Sequence, residues 1–238
     1  MAVRHSRSAL VTGGVRGIGL AVAHALRASV HRVAVTHRGD PPATGMMAVA
    51  CDVNDPEHVD TAFQRVERAH GPVEILVANA GIRRDRLLAQ MTPQDFADVI
   101  DTDLTGVFHT VRRALPAMLR SGHGRIVLVS SAIALTGGAG QTNYAAAKAG
   151  LIGMARSLTR ELGPRDITVN VVAPGLVRTS MTEELSKSQR DRLLARTPQR
   201  RLVETGEVAN AVAFLTSEQA GAITGAVLPV DGGFGMGH

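Results

Sequence analysis

A tyrosine and a lysine four residues apart form the strongest chemical signal in the chain, Tyr144-Ala145-Ala146-Ala147-Lys148. On a helix this spacing places the phenol and the ammonium on one face, and a nearby cation lowers the pKa of a phenol. Ser131 precedes them at the end of an apolar segment, where its hydroxyl can hold a carbonyl oxygen. The alternative is a helix with solvent-facing Tyr and Lys side chains. Because Tyr144 is the only tyrosine, we favour a set that reduces a carbonyl, with Tyr144 as the acid.

A glycine-rich turn at residues 12–19, TGGVRGIG, is the second signal. It follows an apolar strand pattern and opens a helical one. Glycines at such a turn let the backbone approach a pyrophosphate at the positive end of a helix. An ordinary strand-to-helix turn is the alternative, but the position between a strand and a helix favours a dinucleotide site.

The end of the next strand pattern, RVAVTHR at 32–38, carries no acid that would hold a ribose hydroxyl. Arg38 and Arg16 can instead flank a 2′-phosphate, which predicts NADPH. The alternative is that Arg38 is a solvated charge and Asp40 holds the ribose. One strand later, Asp52 before Val53 can accept from an adenine amino group or cap the following helix.

A small corner, Asn79-Ala80-Gly81, ends the fourth strand pattern. Its small residues allow a cofactor to lie close to the backbone, and the Asn side chain can also join neighbouring strands. We expect both roles.

These residues are set in a repeated strand–helix pattern. The strands are predicted at 8–12, 31–36, 46–51, 73–78, 124–130, 167–172 and 226–230, and the helices at 17–28, 56–69, 93–121 (as two helices), 143–162 and 206–216. The strand segments are apolar without alternation, as in parallel sheets covered on both faces. The sequence therefore predicts an α/β fold: a single-domain (1–238), Rossmann-like, doubly wound parallel sheet of about seven strands with helices on both faces. The polar, arginine-rich stretch 176–205 interrupts the pattern and is a candidate substrate lid.

Composition excludes several classes of protein. Of 238 residues, 45% are hydrophobic and 20% charged, which is typical of globular domains. No apolar run is long enough to span a membrane, and no signal-peptide pattern is present, so we expect a cytoplasmic protein. The single cysteine, Cys51, excludes an internal disulfide, and no metal-ligand spacing occurs. The net charge of +5 suggests an anionic partner, but 3% aromatic residues disfavour nucleic acid.

The chain resembles the short-chain dehydrogenase/reductase family over nearly its whole length. TGGVRGIG is similar to the TGxxxGxG turn of that family, ANAG to its NNAG corner, Ser131, Tyr144 and Lys148 to its catalytic set, and Pro174-Gly175 with Thr179 to its PGxxxT segment. Within the family, NYAAAKAGLIGMARSLTREL, ITVNVVAPGLVRTSM and ITGAVLPVDGGFGMGH resemble 3-oxoacyl-acyl carrier protein reductases. The stretch VAVTHRGD and the ending GMGH resemble in particular their actinobacterial branch.

The resemblance implies NADPH-dependent reduction of a β-ketoacyl thioester to the β-hydroxyacyl thioester. Tyr144 would donate the proton, Ser131 would polarise the oxygen, and Lys148 would hold the ribose and lower the pKa of the phenol. It implies the following cofactor-binding residues: Gly13, Val15, Arg16, Gly17, Ile18, Gly19, Arg38, Asp52, Val53, Asn79, Ala80, Gly81, Tyr144, Lys148, Pro174, Gly175, Val177 and Thr179. It further implies a homotetramer built through helices near 101–121 and 143–162, and an acidic carrier protein docked at Arg165. Arg120 lies near a second docking position of the family without aligning to it, and for both arginines a solvated-surface role is equally open.

One position departs from the family. Asp103 stands where the family carries an asparagine that anchors a proton relay. Because Asp lacks the amide donor and adds a negative charge, we expect a working but altered relay.

A polyketide or other secondary-metabolite ketone is the alternative substrate, and a non-catalytic NADP(H)-binding regulator is a third possibility. The lid residues Met181, Leu185, Leu193 and Leu194 would select the acyl chain.

Overall fold

A seven-stranded parallel sheet organises the protein in the computed structural model, which describes residues 6–29, 31–39, 44–183 and 186–236. Its order is β3-β2-β1-β4-β5-β6-β7, and every neighbouring pair is parallel. The strands are β1 Ser8–Val11, β2 Arg32–His37, β3 Met47–Ala50, β4 Val73–Ala78, β5 His123–Val129, β6 Asp166–Pro174 and β7 Val227–Val230. This order confirms the predicted doubly wound fold and puts its topological switch point between β1 and β4.

Helices cover both faces of the sheet. Their bounds are α1 Gly17–Ala28, α2 Pro56–His70, α3 Pro93–Ile100, α4 Gly106–Ser121, α5 Ile133–Thr136, α6 Thr142–Leu162, α7 Ser180–Glu183, α8 Lys187–Arg196 and α9 Thr205–Leu215. Short 3₁₀ segments occur at Leu88–Gln90 and Glu218–Ala220. All predicted strands and helices are found within a few residues of their expected bounds, while the short α5, α7 and α8 had no counterpart in the predicted pattern.

The alternation of side chains along each strand divides the core into two layers. Leu10 of β1 packs in one layer with Phe63 of α2 and Leu151 of α6. Its neighbour Val11 packs in the other layer with Leu26 of α1 and Val212 of α9. Because both faces of the strands are buried, the apolar strand segments lack the alternation of a half-exposed sheet.

Local signals set the ends of several helices. The Asp55 side chain accepts hydrogen bonds from the backbone N–H groups of Glu57 and His58, which caps α2, and Pro56 occupies its first turn. Gly71 follows the helix with φ of 81°, a conformation that favours glycine. Asp55, and not Asp52, therefore caps this helix, so the capping alternative for Asp52 is wrong.

The segment 93–121 forms two helices, as predicted, but they are joined in an unexpected way. Residues Asp101–Thr105 make a π-helical turn between α3 and α4. Such turns are rare and are frequently found at functional sites. Asp103 lies in the middle of this turn and its side chain is fully buried.

The two ends of the candidate lid, residues 176–205, lie side by side after β6. Val177 pairs with Val203 in an isolated bridge, and the Arg178 Nε donates to the Glu204 Oε1 at 2.9 Å. Helices α7 and α8 lie between these joined ends. Leu193 and Leu194 are half-buried on α8, whereas Leu185 and the side chain of Met181 lie outside the described residues.

Two further features bear on function. Among the described helices, none is both long and apolar enough to cross a membrane. Within the same described ranges, no group of three His, Cys, Asp or Glu side chains is arranged to hold a metal ion.

Candidate active site

The glycine-rich turn lies between the end of β1 and the start of α1. Gly13 and Gly17 have φ of 62° and 53°, and a Cβ on Gly19 would lie 2.5 Å from the Gly13 carbonyl oxygen. Arg16 is the N-cap of α1 and makes no side-chain capping bond to the described residues. The sequence of the first turn holds no acid. The first backbone N–H groups of α1 are therefore available to an anion.

The corner after β4 is tied directly to this turn. The Asn79 Nδ2 donates to the backbone oxygens of Thr12 and Gly13 at 3.0 and 3.2 Å, so the strand-joining role expected of Asn79 is present. The Thr12 Oγ1 accepts from the N–H groups of Asn79 and Ala80 at 3.0 and 3.1 Å. Sequence reasoning missed the part played by Thr12, although it opens the glycine-rich motif.

The ends of β2 and β3 bring Arg38 and Asp52 together. Their Nη1 and Oδ2 atoms are 3.9 Å apart, and the Arg38 side chain is 54% exposed, so Arg38 is accessible to a ligand. The Asp52 Oδ1 accepts from the Asn54 N–H at 3.0 Å. Val53 is buried, Val15 and Ile18 pack against the core, and Asp40 lies outside the described residues.

The segment after β6 reaches the same edge of the sheet. Pro174 ends β6, and a Cβ on Gly175 would lie 2.7 Å from the Asp231 Cα, so only glycine fits that contact. A Cβ on Gly17 would lie 3.5 Å from the Thr179 Cγ2. Thr179 thus faces the glycine-rich turn, while Val177 is buried at the base of the lid.

Ser131, Tyr144 and Lys148 lie together beside this edge. The Ala132 N–H donates to the Pro174 oxygen at 2.8 Å, which holds the segment after β5 against β6. Tyr144 and Lys148 are in the first two turns of α6, and the Lys148 Nζ is 5.6 Å from the centroid of the Tyr144 ring. The Ser131 hydroxyl is near enough to the Tyr144 phenol to lower its pKa. The geometry therefore brings the three predicted catalytic side chains into one cluster.

Asp103 joins this cluster by a direct ion pair. Its Oδ2 is 3.1 Å from the Lys148 Nζ, and the two side chains are 0% and 4% exposed. The Asp103 Oδ1 accepts from the Ile82 N–H at 2.8 Å, and the Lys148 Nζ donates to the Val129 oxygen at 3.1 Å. The sequence placed Asp103 near the site, but not in contact with Lys148.

The protonation of the cluster follows from burial and charge. Burial raises the pKa of Tyr144, the Lys148 ammonium lowers it, Asp103 raises it, and Ser131 and Arg83 lower it; the outcome is a raised pKa. Lys148 thus lowers the pKa of the phenol, as expected, but burial and Asp103 raise it by more. Burial lowers the pKa of Lys148, yet Asp103 and Tyr144 more than offset this and raise it.

Three further residues support the site without having been foreseen. The Ser130 Oγ donates to the Lys148 carbonyl oxygen at 2.8 Å, which anchors α6 to the end of β5. The Asn143 Nδ2 donates to the backbone carbonyl oxygens of Arg84 and Asp95 at 3.0 and 2.9 Å. Arg83 pairs with Asp85 at 3.2 Å and its charge reaches the phenol. Ser130, beside Ser131, and Asn143, beside Tyr144, carried a positional signal in the sequence, whereas Arg83 carried none.

The predicted docking arginines lie near each other, away from this cluster. Arg120 is in the last turn of α4, and the Arg165 Nη1 donates to the carbonyl oxygen of the adjacent Leu119 at 3.3 Å. Both side chains are exposed. Arg165 follows the end of α6, whereas Tyr144 is in its first turn.

The glycine-rich turn lies at the switch point of a parallel sheet, and the Ser/Tyr/Lys cluster lies beside it. This is the arrangement of nicotinamide-dependent dehydrogenases and reductases.

A family model described as enoyl-(acyl carrier protein) reductase matches residues 13–235. The 3-oxoacyl-[acyl-carrier-protein] reductase MabA of Mycobacterium avium is 52% identical over 98% of this chain and 91% of its own length. The corresponding MabA of Mycobacterium tuberculosis (strain ATCC 25618 / H37Rv) is 51% identical over 98% and 94%.

The likeness extends beyond mycobacteria. The 3-oxoacyl-[acyl-carrier-protein] reductase FabG of Escherichia coli (strain K12) is 44% identical over 96% of this chain and 97% of its own length. The chain belongs to the short-chain dehydrogenase/reductase family, as its resemblance predicted. Proteins of this family use a nicotinamide dinucleotide. The open N-terminus of α1 and the glycines packed around it fit the pyrophosphate of such a cofactor.

Proposed function

We propose that this protein is an NADPH-dependent 3-oxoacyl-acyl carrier protein reductase of type II fatty acid synthesis. The observation that carries the proposal is the Ser131, Tyr144 and Lys148 cluster beside a dinucleotide-type turn. The names of the relatives support a 3-oxoacyl thioester as the substrate class. They do not favour the polyketide ketone.

The bound nicotinamide would supply the hydride. Ser131 holds the ketone oxygen of the substrate, and Tyr144 donates a proton to that oxygen as it gains negative charge. A raised pKa suits this role because it keeps the phenol protonated at neutral pH. Lys148 holds the ribose and stabilises the tyrosinate that remains after proton transfer. The reverse reaction would use that tyrosinate as the base.

The preference for NADPH rests on Arg38 and Arg16. Both side chains are exposed, at the end of β2 and at the N-cap of α1, where two guanidinium groups can bind a 2′-phosphate. Arg38→Asp should raise the KM for NADPH at least tenfold and leave the KM for NADH nearly unchanged. Equal effects on both cofactors would contradict the assignment.

The proposed partner is an acidic carrier protein that docks at Arg120 and Arg165. With 21 residues α6 is about 30 Å long, which separates Arg165 from Tyr144 of the same chain. Docking there would therefore serve the active site of a neighbouring subunit, consistent with the homotetramer we propose. Phe108, 46% exposed on α4, is an apolar residue available to that assembly. The cytoplasmic location stays a prediction from the sequence.

Docking is tested with two forms of one substrate. Arg120→Glu/Arg165→Glu should raise the KM for a carrier-linked 3-oxoacyl thioester at least tenfold and leave a pantetheine-linked thioester unaffected. Arg65→Glu, an exposed position on α2, is the matched control. Equal losses with both substrates would refute a docking role. Sedimentation velocity of the wild type tests the tetramer.

The reductase itself is tested by following NADPH oxidation with a 3-oxoacyl thioester. Turnover that is lost in Tyr144→Phe and in Ser131→Ala is the expected result. Tight NADPH binding without turnover on this thioester would refute the proposal. Turnover on a polyketide ketone would then favour the alternative substrate, and inactivity on every ketone a regulatory protein.

A further inference from the structure

The pair formed by Asp103 and Lys148 places two opposite charges in the interior of the protein. Their charged atoms are 3.1 Å apart and neither side chain is more than 4% exposed. A direct contact of this kind orients the lysine without a water molecule between the partners.

The carboxylate of Asp103 is held from the other side by the corner after β4. Its Oδ1 accepts from the Ile82 N–H at 2.8 Å, and a Cβ on Gly81 would lie 2.8 Å from its Oδ2. The π-helical turn at Asp101–Thr105 carries the residue into this position. The place of the carboxylate is therefore defined by both the π-helical turn and the residues Gly81 and Ile82 after β4.

Polar and charged groups from four elements act on the pKa of the Tyr144 phenol. They are Lys148 from the same helix, Asp103 from the π-helical turn, Arg83 from the loop after β4, and the Ser131 hydroxyl from the segment after β5. Lys148 and Asp103 act in opposite directions on this phenol, and the pKa of Tyr144 is raised. At the phenol, the negative charge of Asp103 thus weakens the stabilisation that the Lys148 ammonium would give to a tyrosinate.

We propose that Asp103 is a positioning residue that acts as the counter-ion of Lys148, holding its ammonium in place and offsetting its charge so that Tyr144 remains in its acid form. Reduction starts from the phenol, so the counter-ion keeps the reactive form of Tyr144 populated to higher pH, whereas oxidation starts from the tyrosinate and needs a correspondingly higher pH. The proposal rests on the proposed function only in taking Tyr144 as the proton donor.

The composition of the chain allows a direct measurement. Because it has one tyrosine and no tryptophan, the near-ultraviolet absorbance of tyrosinate reports Tyr144 alone, with no cofactor or substrate present. The titrations compare the wild type with Asp103→Asn and with Asp101→Asn, a matched change at an exposed position of the same turn. Far-ultraviolet circular dichroism at each pH verifies that the protein is folded.

In Asp103→Asn, we expect the ratio of tyrosinate to tyrosine at the wild-type midpoint to rise about tenfold. Asp101→Asn should titrate as the wild type. The double variant Asp103→Asn/Lys148→Met, which removes both charges, should return the midpoint toward the wild-type value. It is the variant to titrate if Asp103→Asn does not fold. A midpoint that is unchanged or higher in Asp103→Asn, or a double variant that deviates as far as the single one, would overturn the proposal.

Kinetics provide a second measurement on the same variants. The pH profile of hydroxyacyl oxidation should move to lower pH in Asp103→Asn, whereas a merely structural role would lower kcat without moving the profile. If the wild type shows no turnover but the titrations behave as expected, the proposed function fails and the counter-ion role stands.

Discussion

Replacing Lys148 by methionine should lower the free energy of unfolding strongly, in addition to any effect on catalysis. Methionine keeps most of the alkyl volume of the lysine but removes the ammonium. Among the described residues, the Asp103 carboxylate, which is 0% exposed, would then keep only the hydrogen bond from the Ile82 N–H. A carboxylate left without its counter-ion in the interior is costly because it has lost its hydration.

The size of the effect follows from the geometry of the pair. At 3.1 Å the attraction between unit charges is about 5 kcal/mol for an effective dielectric constant of about 20. Desolvation of both ions offsets most of this in the intact protein, so the pair itself contributes little. Removal of one partner leaves the other's desolvation uncompensated, and Lys148→Met should lower the free energy of unfolding by about 3–5 kcal/mol.

A double-mutant cycle measured by urea unfolding tests this reasoning. The variants are Lys148→Met, Asp103→Asn and their combination, followed by circular dichroism at pH 7 and one fixed subunit concentration, since assembly affects stability. The combination should be more stable than Lys148→Met alone, with a coupling free energy of about 2–3 kcal/mol. A loss below about 1 kcal/mol in Lys148→Met, or strictly additive losses, would refute a strong buried pair.

Three further predictions concern other parts of the molecule. Gly19→Ala should weaken NADPH binding at least tenfold in calorimetry because the added Cβ would lie 2.5 Å from the Gly13 carbonyl oxygen in the glycine-rich turn. Gly206→Ala on α9 is the control, because the space around Gly206 is open. It should stabilise the folded protein by about 0.5–1 kcal/mol and leave NADPH binding unchanged. Burial raises the pKa of Cys51 to about 11, so native protein should react with iodoacetamide much more slowly at pH 8 than urea-unfolded protein; equal rates would contradict a buried thiol. Hydrogen bonding to Arg201 holds the pKa of Glu207 at about 2, and because this pKa is lowered, the stabilisation is present above the ordinary value of 4.5 and lost as the pH falls toward 2. Arg201→Met should therefore lower the melting temperature at pH 7 but not at pH 2, and equal lowering at both would count against the pair.

The sequence by itself determined the class of fold and the cluster that carries the chemistry. Apolar strand segments separated by amphipathic helices require a parallel sheet covered on both faces, because each segment must bury both sides. The i,i+4 spacing of Tyr144 and Lys148 requires one helical face. The ends of α2 at Asp55 and Gly71 also depend on residues within one turn, but the capping residue considered from the sequence was Asp52, so only the bounds of this helix were predicted.

Tertiary structure alone decided how distant segments meet. The direct contact of Asp103 with Lys148 depends on the π-helical turn that joins α3 to α4, and no residue pattern within 93–121 predicted that turn. The joining of Val177 to Val203 at the base of the lid and the approach of Arg165 to α4 are also contacts between segments far apart in the chain. Such contacts depend on how helices pack against the sheet, and the periodicity of each segment reports only which of its faces is buried.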